Sequence, residues 1–247
     1  VFPQERLLME IVKKTPLKYI NSSVWCANNR YYIDGESISV SFSKCLQMDT
    51  DSIIKELERY NIANENNKFS GYIQKFIKIN KERLSYLKDE AFNFIQDAVK
   101  NYPAENIVIS FSGGKDSTVV ADLVVRALSN PGIVHIFGDT TLEFPLTYEY
   151  LKRFRKENPK IILKISKNKE QKFYDVCEDI GPPSRVMRWC CTMFKTGPIT
   201  RILSNLYRDK KLLTFYGIRK CESVSRSKYN RIEDNAESIK IKKQVVA

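Results

Sequence analysis

Ile107-Val-Ile-Ser-Phe111, then Ser112-Gly-Gly-Lys-Asp-Ser117, then Thr118-Val-Val-Ala-Asp-Leu-Val-Val125 is the stretch that decides the fold. A short unbroken apolar run reads as a strand buried on both faces. Two glycines let the backbone turn sharply and approach an anion with no Cβ in the way. An amphipathic helix follows, predicted over Thr118 to Leu128. In such a strand–loop–helix the amides of Ser112, Gly113, Gly114, Lys115, Asp116 and Ser117 converge into a nest at the positive end of a helix dipole. Lys115 adds a point charge, and Ser112 and Ser117 add hydroxyl donors. Asp116 either holds Mg²⁺ beside bound phosphates or caps the helix. The spacing excludes a Walker A loop, which needs four residues between its first Gly and the Gly-Lys pair, and it excludes G-x-G-x-x-G.

Outward from that loop the chain alternates. Strands are predicted over Ile133–Phe137, Ile161–Ile165 and Leu212–Tyr216, with helices over Leu146–Glu157, Glu170–Asp179 and Thr196–Tyr207. Four short apolar strands separated by helices imply a doubly wound α/β domain around a parallel sheet, with ligands beyond the carboxyl ends of its strands. This PP-loop domain is assigned to residues 104–247. Residues 68–103 read as a helical connector, one long helix or two abutting ones from Gly71 to Tyr102, stopped by Pro103. Residues 1–67 read as a small, largely irregular appendage. It holds a hairpin at Asp34-Gly35 and a helix over Asp49–Tyr60, and a polar Asn-rich joint runs from Asn61 to Ser70.

Bulk composition narrows the class. The 247 residues are 43% hydrophobic and 28% charged, as in soluble globular proteins, and no apolar run approaches the roughly 18 residues of a membrane span. No secretory signal opens the chain. It begins at Val1 and ends in Lys-Lys-Gln-Val-Val-Ala, which reads as a processed chain whose last domain is cut short at its C-terminus. The net charge of +12 fits a polyanionic partner, a nucleotide or a nucleic acid, and fits a Lys-rich solvated surface equally well. Six cysteines without dense even spacing point to a reducing, cytoplasmic setting.

The hexapeptide Ser112–Ser117 resembles the PP-loop of the N-type ATP pyrophosphatases and of the phosphoadenylyl-sulfate (PAPS) reductase family. Three later segments resemble the second of these. In Phe137-Gly-Asp-Thr-Thr-Leu-Glu-Phe-Pro-Leu-Thr147 the residues Asp139, Thr140, Phe144, Pro145 and Thr147 match, while Thr141 stands for a family Gly and Leu146 for its Glu. Asp139 ends a strand, where it faces ribose or metal, or caps the next helix. Gly181-Pro-Pro-Ser-Arg-Val-Met-Arg-Trp-Cys-Cys-Thr-Met-Phe-Lys-Thr-Gly-Pro198 matches a Pro-Ser-x-x-x-Arg-Trp-Cys segment and offers Arg185, Arg188 and Lys195 as an anion clamp. Tyr216-Gly-Ile-Arg-Lys-Cys-Glu-Ser-Val-Ser-Arg226 matches Gly-Ile-Arg-x-x-Glu-Ser-x-x-Arg, with Arg219 and Arg226 directed at bound phosphates.

The resemblance implies an adenine nucleotide as ligand, whether ATP, adenosine phosphosulfate or PAPS. It also implies a thiol reductant or sulfur-donor protein as partner. Lys115, Cys190 and Cys191 are the candidate catalytic residues, the two thiols lying nearest to cations. A Cys-Cys pair with a later Cys-x-x-Cys holds a [4Fe–4S] cluster in assimilatory adenylyl-sulfate reductases. Four thiolates are required, only Cys177 and Cys221 are nearby, and no Cys-x-x-Cys exists, so thiols without metal are expected. The Glu-Cys-Gly-x-x-His tail of true PAPS reductases is missing, and the lone His135 sits within a strand, where a core role is expected. Three functions remain open. The chain is a PAPS-reductase-like enzyme acting on an adenylyl sulfate, an ATP pyrophosphatase that adenylates a nucleic acid for sulfur modification (tRNA thiolation or DNA phosphorothioation), or a binding module that catalyses nothing.

Overall fold

The structure, a computed structural model, describes residues 1–15, 17–27, 30–41, 43, 49–59, 62–184, 186–208 and 210–232. Cys45, Arg185 and the last fifteen residues lie outside them, so the anion-clamp role of Arg185 has no structural counterpart here. The contacts divide the chain into two compact units, Val1–Ser85 and Tyr86–Ala247.

The first unit is more regular than its sequence suggested. Helix α1 spans Pro3–Val12, with Pro3 at its first turn and Leu7 and Met9 fully buried. Proline at that position loses no helical hydrogen bond, so it starts a helix rather than breaking one. Strands β1 (Val24–Ala27), β2 (Arg30–Ile33) and β3 (Glu36–Ile38) form an antiparallel meander. The Asp34-Gly35 turn is present, with φ of 50° and 93°, the positive pair that a two-residue hairpin demands. Helix α2 covers Thr50–Arg59. The Asn-rich joint is corrected: α3 runs Ile62–Ile79, straight through it. Asparagine is a weak helix former, and here the apolar residues that follow in the same helix outweigh it.

Helix α4 (Lys81–Val99) abuts α3 and leads into the second unit. There the sheet is wholly parallel. Strands β4 (Ile107–Ser110), β5 (Val134–Asp139), β6 (Ile162–Lys167) and β7 (Leu213–Phe215) lie in the order β6-β5-β4-β7. Helices α5 (Lys115–Ala127), α6 (Pro145–Glu157) and α7 (Phe173–Ile180) fall close to their expected places. The last predicted helix differs. It opens with a π-turn over Cys191–Thr196 before α8 (Gly197–Tyr207). Pro198 has no N–H to give and its ring displaces a carbonyl, so the hydrogen-bond ladder skips a residue ahead of it.

Ile107, Ile109, Phe111, Phe137, Leu151 and Phe154 pack on one face of the sheet, and Val108, Ile136 and Tyr207 on the other. The central strands β4 and β5 are therefore largely apolar on both sides, which is why they read as unbroken runs rather than alternation, whereas the edge strand β6 carries Lys164 and Lys167. Chain order and strand order part company at β4. Helices α5 and α6 carry the chain away on one side, and β7 returns on the other, so the crevice between β4 and β7 is the switch point where such folds bind ligands. Among the described residues no helix is long and apolar enough to cross a membrane.

His135 is fully buried in β5, its Nδ1 2.8 Å from the Ile133 carbonyl oxygen. Burial holds its pKa below the ordinary 6.5. The unfolded chain takes up a proton that the core refuses, so this contribution is complete above about pH 6.5 and falls as the pH drops below it. Urea midpoints measured from pH 7.5 to 5.5 should decline in the wild type and decline less in His135→Leu.

Candidate functional site

The loop after β4 is built to leave donors free. Ser112 and Ser117 brace it: the Ser112 amide donates to Ser117 Oγ (3.1 Å), the two hydroxyls are 3.0 Å apart, and Ser117 Oγ donates to the Gly114 carbonyl (3.0 Å). Gly113 takes φ +72°, a value that strains any side chain. Gly114 is the N-cap of α5, and no side chain caps that helix. The amides of Lys115 and Asp116 are left without a hydrogen-bond acceptor among the described residues. An uncapped helix start at a switch point is an anion seat.

Three cations and two carboxylates border that seat. Asp116 Oδ2 lies 3.1 Å from Lys115 Nζ and 3.2 Å from Arg219 Nε. Glu222 pairs with Arg219 (3.4 Å) and with Arg226. The side chains of Lys115 and Arg219 are about half or more exposed, so both can leave Asp116 for an arriving anion. Sequence reasoning placed the arginines here and missed Glu222 as the group that holds them together.

It also missed Gly217, which follows β7. A Cβ there would sit 2.8 Å from the Asp116 carbonyl carbon and 2.8 Å from the Ser117 nitrogen. The returning strand thus lays bare backbone against the first turn of α5. A glycine directly after a predicted strand was the available signal.

Among the described residues no hydrogen bond or ion pair joins the other candidates to this cluster. Asp139 is buried at the end of β5, and its carboxylate is occupied: Oδ1 accepts from the Thr141 amide and the Tyr148 hydroxyl (both 2.8 Å), and Lys167 stands 3.6 Å from Oδ2. Burial and the Asp139 hydrogen bond push the Tyr148 phenol up to about 12. In this arrangement Asp139 fixes a turn. Thr141, where the family has Gly, takes φ +67°. That conformation costs a β-branched residue about 1–2 kcal/mol, and its Oγ1 compensates by accepting the Phe173 amide (2.9 Å) that opens α7. Thr141→Val keeps the strain and loses the acceptor, so it should lower urea-unfolding stability by about 1–2 kcal/mol. Thr141→Gly removes both and should stay close to wild type.

Cys190 and Cys191 sit where the π-turn begins, with Arg188 3.5 Å from Cys191 Sγ. Burial, ahead of the neighbouring Cys191, pushes the Cys190 thiol up, opposite to the lowering expected from nearby cations. Lys195, on the same turn, approaches the end of β5: a Cβ on Gly138 would lie 3.7 Å from its Cγ. Among the described residues no three His, Cys, Asp or Glu side chains gather at one point where a metal ion could be held.

Residues 106–242 match the family model of the phosphoadenosine phosphosulfate reductase domain. The chain belongs to that family. Two uncharacterised proteins of Methanocaldococcus jannaschii are each 32% identical, over 69% and 63% of this chain, and the chain spans about a third of their length (34% and 36%). An adenosine 5'-phosphosulfate reductase of Staphylococcus epidermidis is 27% identical over 61% of this chain and 60% of its own. Two solved structures are similar to it. PAPS reductase from Candida auris, in a phosphate complex, has 19% identity and a TM-score of 0.37 over 51% of this chain and 63% of that one. NH3-dependent NAD synthetase from Campylobacter jejuni, in complex with nitrate, has 21% identity and a TM-score of 0.41 over 56% and 58%. In this member of the PAPS reductase domain family, the Ser112–Ser117 loop lies within the matched residues and Gly217 backs it.

Proposed function

We propose that the second unit binds an adenylyl nucleotide across the carboxyl ends of β4 and β7, and that it acts in sulfur metabolism on a sulfated one, adenosine phosphosulfate or PAPS. The observation that carries this reading is the uncapped start of α5 at the switch point, with Lys115 and Arg219 held beside it on Asp116. An anionic group seated on the Lys115 and Asp116 amides would draw both cations off that carboxylate, exchanging an exposed ion pair for charge-assisted hydrogen bonds. Family membership supports a nucleotide of this class.

Calorimetry with ATP, adenosine phosphosulfate and PAPS tests it. Binding of a sulfated nucleotide is expected, weakened about 10- to 100-fold in Lys115→Ala through loss of one charge-assisted contact. Binding of ATP alone, with neither sulfated nucleotide bound, would count against this reading.

A second reading is an N-type ATP pyrophosphatase that adenylates a nucleic acid for sulfur modification. The raised Cys190 thiol favours it, since a reductive attack on sulfur needs a thiolate. Its mark is pyrophosphate released from ATP only when RNA or DNA is present.

A further inference from the structure

The charge of this chain is unevenly placed. Residues 152–172 hold nine Lys and Arg against Glu157 and Glu170, a net of +7 within a chain whose total is +12. All nine are exposed. Lys152, Arg153, Arg155 and Lys156 lie on α6, and Lys160 follows it. Lys164 and Lys167 lie on β6, and Lys169 and Lys172 follow it. Strand β6 ends the sheet order, with β5 as its one partner among the described residues. Arg155 ties the helix to that edge by donating to the Leu163 carbonyl at 3.1 Å. Eight of the nine have no acidic partner among the described residues, Lys167 being the exception through Asp139.

We infer that the free edge of β6, with the cationic face of α6 beside it, is a binding surface for the phosphate backbone of a nucleic acid. Lysines along an edge strand also prevent edge-to-edge pairing of sheets, but that need does not extend to four cations on the neighbouring helix. Uncompensated charge of one sign concentrated in a short segment is the footprint of a polyanion partner. The shape favours nucleic acid over a bilayer. Leu163 packs with the core on the α6 side of the sheet, so by the alternation of a strand Lys164 projects to one face and Lys167 to the other. The cations thus flank a ridge on both sides. A ridge with positive flanks fits a groove lined by two phosphate rows, whereas a flat membrane meets one side at a time. Strand β6 ends at Lys167, at the same strand ends where the Ser112–Ser117 loop lies. The inference stands apart from the choice of nucleotide.

The test compares the full chain with two triple charge reversals of equal net change. Lys152→Glu/Lys156→Glu/Lys164→Glu alters the ridge, and Lys55→Glu/Lys75→Glu/Lys78→Glu alters exposed lysines of α2 and α3. Fluorescence anisotropy with a short single-stranded RNA and a short DNA duplex is followed against salt. Thermal melting and calorimetry with the nucleotide check that fold and cradle are intact. The ridge variant should bind at least about tenfold more weakly and show a log–log salt slope shallower by about three, while the α2/α3 variant stays within about threefold of wild type. The probe bound more tightly tells whether the partner is RNA or DNA. Equal weakening in both variants, no binding of either probe, equal competition by polyglutamate, or ridge-dependent binding to phosphatidylserine vesicles instead of nucleic acid would each overturn the inference.

Discussion

Gly217→Ala should lower the affinity for an adenylyl nucleotide by at least about tenfold and cost about 1–3 kcal/mol of stability. The added carbon would stand 2.8 Å from two backbone atoms of residues 116 and 117, closer than real Cβ contacts occur. Neither atom belongs to a flexible side-chain end that can swing aside. Either β7 slides away from β4 or the first turn of α5 tilts, and the amides of Lys115 and Asp116 lose their aim in both cases. Arg219, two residues further on, moves with the strand. Calorimetry with adenosine phosphosulfate and PAPS, alongside urea unfolding, separates the two losses. Gly71→Ala is the control, since a Cβ there meets nothing within 4 Å and α3 should gain slightly from a better helix former. Wild-type affinity in Gly217→Ala would show that β7 does not support the cradle.

The second large effect is expected at Gly197, where the π-turn passes into α8. An alanine Cβ there would fall inside contact distance of the Thr192 carbonyl oxygen, which already accepts the Gly197 amide. The turn must unwind to admit it. Phe194 is fully buried within the turn and packs against Phe173 and Trp189, so unwinding rotates a core side chain out of place. A loss of about 3 kcal/mol is expected, at the upper end for added core volume. Trp189 reports it directly: in a Trp25→Phe background its emission should shift to the red and broaden. An unchanged spectrum together with an unchanged urea midpoint would mean that the turn relaxes without cost.

Both positions show what a sequence read alone can and cannot supply. The strand–loop–helix from Ile107 was legible because every feature of it is local: apolar run, paired glycines, amphipathic continuation. The parallel sheet was legible for the same reason, since its central strands, buried on two faces, are largely apolar throughout. Helix α1 was absent from the reading of residues 1–67 as largely irregular, although Glu5, Leu7 and Ile11 carry the pattern of a first helix. The first half of α3, up to Ser70, was read as a joint because asparagine was weighed more heavily than the apolar residues after it, while its second half fell within the helix expected from Gly71.

Long-range roles were the least accessible. Nothing local to Gly217 says that residues 116 and 117 will lie against it. Nothing near Asp139 says that Tyr148 and Lys167 will occupy its carboxylate. Thr141 is the instructive middle case: departure from the family glycine was visible in the sequence, and only the conformation shows that the positive φ was kept while the side chain took on a new bond.

The strand order also fixes when the cradle comes into being. The loop emerges from the ribosome with residue 117, yet the backbone that closes it from behind is about a hundred residues downstream. At usual elongation rates that is a wait of roughly 5–20 s. Until then β4 has an open flank and the helix start has no back wall. A nascent chain can therefore present the signature loop long before it can hold anything in it, and pairing of β7 with β4 is the moment of maturation.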